Sequence, residues 1–174
     1  MYYAGIGARK TPPYLLKYFT SVAEGLGVQG WILNSGGADG ADTAFENGAR
    51  SICAKRNIFL PWKGFNKNNS SLYLENMSRD LVNSARKIAE DFHPQGNRMN
   101  PTVSQFMTRN TFQVLGVNLK TPVSFVLCCS PGGYKTGGTS QAMRVARGYN
   151  IPVINTSNAG FRDKLKAITE KVRF

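Results

Sequence analysis

Three glycine-rich turns hold the residues of this chain best suited to chemistry: Gly5-Ile6-Gly7-Ala8-Arg9, Ser35-Gly36-Gly37-Ala38-Asp39-Gly40, and Gly132-Gly133 followed by Gly137-Gly138-Thr139. Glycine lets the backbone approach a ligand closely, and a helix that starts beyond such a turn offers free N–H groups and a partial positive charge to a phosphate. One turn of this kind often serves only its own backbone. Three of them at the carboxyl ends of parallel strands converge on one crevice, where ligands of open α/β sheets bind. None is a P-loop, because no Lys-Ser/Thr pair follows the second glycine, and Gly5-Ile6-Gly7 lacks the third glycine of the dinucleotide fingerprint.

Charged residues stand beside these turns. Arg9, two positions past Gly7, reaches back over the crevice as a bidentate phosphate clamp or else bridges to a neighbouring helix. Asp39, Asp42 and Glu46 follow the second turn at spacings of three and four, which places three carboxylates on one helix face near its start. A structural account makes Asp39 an N-cap and Asp42 a favourable first-turn charge. The ligand account has Asp39 and Asp42 accept hydrogen bonds from ribose hydroxyls, and Glu46 serve as a catalytic carboxylate in glycosidic bond cleavage. The lone His93 precedes Pro94 at a helix end and reads as a capping residue. Trp31 reads as core; Trp62, with Lys63 and Phe65, is either a platform for a base or an apolar lid.

The elements that position these residues alternate between β-rich runs and helical periodicity. Strands are expected over residues 1–7, 31–34, 58–61, 123–129 and 151–155. Pro12 and Pro13 open a helix carrying Leu15, Leu16, Phe19, Val22, Ala23 and Leu26. Ala41, Ala44, Phe45, Ala49, Ile52 and Cys53 trace a second helix, and Leu74, Met77, Leu81, Ala85, Ile88 and Phe92 a long third one. A fourth is expected from about Val103 to Leu115, a fifth carries Ala142, Val145 and Ala146, and Phe161, Leu165, Ile168 and Val172 form the last. Strands separated by helices predict a Rossmann-like three-layer α/β/α sandwich with a mainly parallel sheet of about five strands, in a single domain over residues 1–174. The 63–109 segment exceeds an ordinary strand-to-helix connection. It is expected either to fold over the crevice, with Arg109 reaching the phosphate and the Asn-rich loop mobile, or to cover one sheet face passively.

Composition narrows the classes. The chain has 174 residues, 41% of them hydrophobic, which suits one domain with a real core and excludes disorder as the main state. No apolar run approaches the roughly 20 residues of a membrane span, and no secretion signal is evident. Three cysteines, two of them adjacent at Cys128 and Cys129, fit neither a disulfide framework nor a metal site, so the cytoplasm is the expected compartment and no cofactor is implied. The net charge of +12 suggests a polyanionic partner. Between Asp91 and Asp163 there is no acidic residue, while Arg98, Arg109, Lys120, Lys135, Arg144, Arg147 and Arg162 fall in that stretch.

The runs Tyr3-Ala4-Gly5-Ile6-Gly7-Ala8-Arg9-Lys10-Thr11-Pro12, Ser35-Gly36-Gly37-Ala38-Asp39-Gly40-Ala41-Asp42 and Thr136-Gly137-Gly138-Thr139-Ser140-Gln141-Ala142 occur in that order. Together they resemble the SLOG superfamily, which contains the DNA-processing protein A (DprA) group, the LOG phosphoribohydrolases and sensors of nucleotide-derived signals. Arg109-Asn110 resembles the Arg-Asn pair of DprA-like proteins. The resemblance implies that Arg9, Arg109 and the glycine turns line one nucleotide or phosphate pocket, and that the protein forms homo-oligomers. Two positions depart from the pattern. The catalytic glutamate of the LOG motif corresponds to Ala142, and a histidine common in DprA proteins corresponds to Glu46. The leading expectation is therefore binding of a nucleotide or nucleotide-derived phosphorylated molecule. The alternatives are DprA-like binding of single-stranded nucleic acid, and hydrolysis of a nucleotide N-glycosidic bond through Glu46.

Overall fold

A computed structural model describes residues 1–135 and 137–170 of the chain. Five strands, β1 (Tyr2–Gly7), β2 (Ile32–Ser35), β3 (Arg56–Ile58), β4 (Phe125–Cys129) and β5 (Val153–Asn155), form one sheet in the order β3-β2-β1-β4-β5. Every pairing is parallel, with Tyr3 opposite both Leu33 and Phe125. Six helices connect or flank them: α1 (Pro13–Val28), α2 (Ala41–Ser51), α3 (Arg79–Phe92), α4 (Pro101–Leu115), α5 (Gly137–Gly148) and α6 (Phe161–Glu170). Among the described residues this is the Rossmann-like α/β/α architecture with five parallel strands that the alternation of patterns predicts.

The two central strands are apolar on both faces, and successive residues divide between the layers. Tyr3, Phe125, Leu127 and Cys129 pack with Phe19 of α1, Phe45 of α2 and Leu165 of α6. Ala4, Ile6, Val126 and Cys128 turn the other way, against Val114 of α4 and Met143 and Val145 of α5. Helix α3 packs against α4 and α5 on that second side. The first turn of the sequence owes one glycine to this packing: a Cβ at Gly5 would lie 2.5 Å from the Phe45 ring. Trp31 is buried as expected, edge-on to Phe125 at 5.3 Å.

Several boundaries differ from the sequence expectation. The third helix starts at Arg79, while Leu74–Asn76 is a separate 3₁₀ turn followed by extended backbone at Met77. The cause lies upstream. Leu60 bridges to Tyr73, its N–H donates to the Leu72 carbonyl at 2.8 Å, and Ser70 Oγ donates to the Ile58 carbonyl at 2.6 Å. This ties the segment before Leu74 to the sheet edge in extended form, so the helical spacing from Leu74 to Leu81 is incidental. Helix α2 ends at Ser51, and Ile52 and Cys53, expected on its face, leave it as Cys53 turns to φ 55°. Strand β3 ends at Ile58 and does not reach residue 61. Val172 and Thr136 lie outside the described residues.

Candidate functional site

All strands being parallel, the turns after β1, β2 and β4 open on the same edge of the sheet, and Gly36 and Gly132 stand on that one edge. A cavity of about 460 Å³ lies there, within the range usual for small-molecule sites. Its walls are the β1 end with Gly7 and Arg9, Ala38 and Asp42 of the second turn, the inner face of α4, and Ser130 to Gly132 together with Gly137 to Thr139 at the start of α5. Of the sequence-predicted residues, Gly7, Arg9, Asp42, Arg109, Gly132, Gly137, Gly138 and Thr139 line it. Gly5, Ser35, Gly36, Gly37, Asp39, Glu46 and Gly133 do not.

Asp42 is the hub of the floor. Its Oδ1 accepts the Gly7 N–H at 3.3 Å and its Oδ2 the Ala38 N–H at 3.4 Å, so one carboxylate ties the first turn to the second. Arg109 Nη1 stands 3.5 Å from the same Oδ2, and both side chains are buried. Burial pushes the Asp42 carboxyl up to about 6, against the opposing pull of Arg109 and the backbone N–H groups of Ala38, Gly7 and Gly36. Burial lowers the Arg109 guanidinium from its usual range, with Asp42 opposing and nearby Arg9 adding to the fall, yet a guanidinium remains a cation at any ordinary pH.

Gly36 explains how an arginine fits so deep. A Cβ there would overlap Arg109 Nη1 and lie 2.6 Å from Asp42 Oδ2. The second glycine turn thus provides a notch for the ion pair. Above it, Phe65 and Phe106 present their rings to the guanidinium at 5.9 and 5.8 Å, and Trp62 packs edge-on against both, at 5.3 and 5.2 Å. Trp62, a candidate platform for a base, is engaged in this roof. Arg109 Nε and Nη1 are nonetheless buried with no hydrogen-bond acceptor in reach among the described residues, the Asp42 ion pair being too long to serve as one.

The third turn is held by side chains that motif reading does not reveal. Asn155 accepts the Ser130 N–H at 3.0 Å and donates to the Ser130 carbonyl at 2.8 Å. The Gly133 carbonyl accepts from Ser130 Oγ at 3.0 Å and Ser140 Oγ at 2.6 Å, which fixes Gly133 as a structural member of the loop. Asn110 Nδ2 donates to the Gly138 carbonyl at 2.9 Å, fastening the start of α5 to α4. Ala142, at the position of the LOG glutamate, is buried in the apolar core under α5.

The carboxylates that helical spacing gathers on one face divide in the structure. Asp39 is exposed, makes no cap, and accepts from Asn66 Nδ2 at 3.0 Å. The N-cap of α2 is Gly40, at φ 84°, where a Cβ would lie 2.5 Å from the Arg9 carbonyl oxygen. Glu46 faces a separate polar groove beside β3, paired with Arg50 at 2.6 Å and accepting from Asn68 Nδ2 at 2.9 Å. His93 ends α3, its Nδ1 accepting the Gln95 N–H at 3.2 Å. The cavity also gains residues without any motif: Val103, Phe106, Met107 and Gln113 of α4, and Ser130 and Pro131. The spacing of 103, 106, 107, 110 and 113 along one helix face is the signal that could have found those on α4.

The fold and this cavity define an α/β protein with a cationic, partly apolar recess at the carboxyl ends of its strands. No family model matches the chain, and no curated protein matches it. DNA processing protein A from Helicobacter pylori, a protein with a single-stranded DNA binding mode, has a solved structure of the same fold. It aligns with a TM-score of 0.55 at 17% identity, over 98% of this chain and 73% of that one. No helix among the described residues is long and apolar enough to cross a membrane.

Proposed function

We propose that this protein binds a nucleotide or nucleotide-derived phosphorylated molecule in the cavity beneath α4, as a SLOG-type domain related to the DprA and LOG groups. The observation that carries the reading is Arg109, a buried guanidinium in the cavity wall whose ion pair with Asp42 is long, at 3.5 Å, and whose Nε and Nη1 have no hydrogen-bond acceptor among the described residues. Asp42 offsets its charge but completes neither nitrogen, and buried donors left without acceptors are costly until a ligand supplies them. The first residues of α5, Gly137 to Thr139, add helix N-terminal N–H groups, and exposed Arg9 closes over the phosphate from the solvent side. Val103, Phe106 and Met107 supply an apolar wall for the rest of the ligand. Asp42 organises the floor in this reading and does not contact ribose, because its oxygens serve Gly7, Ala38 and Arg109. It is the one carboxylate lining the cavity among the described residues, and no hydrolytic step is proposed.

Calorimetric titration with the four common nucleoside 5′-monophosphates tests the reading. Saturable binding by at least one of them is expected, weakened about tenfold in Arg9→Ala by loss of one charged hydrogen bond. Unchanged affinity in that variant removes Arg9 from the site.

A second reading is binding of single-stranded nucleic acid, favoured by the net charge of +12 and by the fold shared with the Helicobacter pylori protein. The basic stretch offers it less than the sequence suggests. Arg109 is buried, Arg144 donates to the Phe92 and Tyr134 carbonyls, and Arg147 and Arg162 lie over aromatic rings. Salt dependence separates the two: a strand contacting several phosphates loses affinity steeply as salt rises, and a small ligand in a cavity loses little.

A further inference from the structure

Gln113 is 2% exposed, lines the same cavity, and carries an Nε2 with no hydrogen-bond acceptor among the described residues. It stands one helical turn beyond Arg109 on α4, so the two side chains share a face. Its backbone is fixed, the Gln113 carbonyl accepting from Asn34 Nδ2 at 3.2 Å. Three buried nitrogens, Arg109 Nε and Nη1 and Gln113 Nε2, therefore sit behind one wall of one cavity without a hydrogen-bond acceptor among the described residues, Asp42 Oδ2 coming no nearer to Nη1 than 3.5 Å. An unsatisfied buried donor destabilises the fold, and an apolar side chain of the same size would avoid the cost. Phe112, Val114 and Leu115 beside it are all buried and apolar.

We infer that Gln113 is a ligand-contacting residue, and that Arg109 and Gln113 together seat the ligand's phosphate oxyanion. This rests on the phosphate-binding reading above and adds to it a residue outside every motif. These nitrogens are buried, so seating the anion includes a turn of the Gln113 carboxamide toward the cavity. Its N–H then donates to one phosphate oxygen while the guanidinium donates to another, so that the ligand supplies acceptors that the described residues do not. The phosphate is supplied either by a small phosphorylated molecule or by a nucleic-acid strand, and the two share this chemistry.

The test is Gln113→Leu, with Gln113→Met as a second apolar replacement, in the full chain. Affinity is measured by calorimetry for the four nucleoside 5′-monophosphates in one arm and for a short oligothymidylate in the other, and stability by thermal denaturation. The expected result is a loss of about tenfold or more in affinity together with melting no lower than wild type. That opposition of signs is what a merely structural glutamine would not give. Weakening in the mononucleotide arm identifies a small ligand, and weakening in the oligothymidylate arm alone identifies a strand; either supports the seat. Affinity equal to wild type in both variants overturns the role of Gln113 and leaves the phosphate reading standing. So does lower melting accompanied by weaker binding, which marks a packing role. Wild-type protein that binds no probe in either arm overturns both.

Discussion

Gly36 and Arg109 occupy a single site between them: any Cβ at position 36 would overlap the Nη1 of the buried guanidinium. A glycine that motif reading assigns to phosphate contact therefore acts through an arginine more than seventy positions away. Gly36→Ala is expected to displace Arg109, to destabilise the fold by about 2 kcal/mol through overpacking, and to weaken nucleotide binding. In an Arg109→Ala background the same change costs less, the conflict that remains being with Asp42 Oδ2 at 2.6 Å. Additive destabilisation across that cycle, read from denaturant midpoints, contradicts the relationship.

Asp42 gives the stability of the protein a pH dependence of known sign. Its carboxyl titrates at about 6 in the fold, above its unfolded value, so the folded state binds the proton more tightly. The resulting stabilisation is fully present below the unfolded value and is lost as pH rises through about 6. Relative to Asp42→Asn, wild type should lose on the order of 2 kcal/mol between pH 4 and pH 7. Denaturation of both proteins at the two pH values measures this; a difference that stays constant, or grows in favour of wild type, removes Asp42 as its source.

Asn110 couples α4 to the loop that opens α5. Removing its bond to the Gly138 carbonyl in Asn110→Ala should cost about 1 kcal/mol of stability. Amide exchange should accelerate in residues 131–140, and nucleotide affinity should fall as that loop loses its anchor. Exchange rates there equal to wild type would show the bond to be dispensable.

The N-terminal half of α4 overhangs the cavity through Val103, Phe106 and Met107, while α3 packs on its outer side. Ligand binding should therefore protect residues 101–110 from hydrogen exchange and leave 79–92 unchanged. Equal protection of both helices would point to general stiffening in place of local closure.

Much of this arrangement was legible in the sequence, because strand–turn–helix alternation and the continuous apolar run of β4 are local signals. Glycine turns at strand ends placed the cavity on the correct edge, and eight of the residues singled out there line it. What could not be read were interactions between distant segments. Helical spacing put Asp42 and Glu46 on one face, yet the Ala38 and Gly7 amides draw Asp42 inward while Arg50 and Asn68 hold Glu46 in the other groove. Gly5 and Gly36 looked alike as ligand-approach glycines; Phe45 and Arg109, far along the chain, decide that they are packing positions. The helix expected from Leu74 starts only at Arg79, because a bridge from Leu60 to Tyr73 overrides local periodicity ahead of it. Gln113 carried no motif, and its importance follows only from the absence of an acceptor around it.

Arg109 must meet the anion of a ligand if the cavity is the binding site. Its Nε–H resonance, assigned by loss from the arginine side-chain spectrum in Arg109→Lys, can be followed by nitrogen–proton NMR during titration with the nucleoside 5′-monophosphates. The predicted result is a saturable shift of that resonance, with the same midpoint as the calorimetric isotherm, as the unpartnered Nε–H acquires a phosphate acceptor. A resonance that stays in place while a nucleotide saturates the protein would contradict the central claim and put the binding site elsewhere.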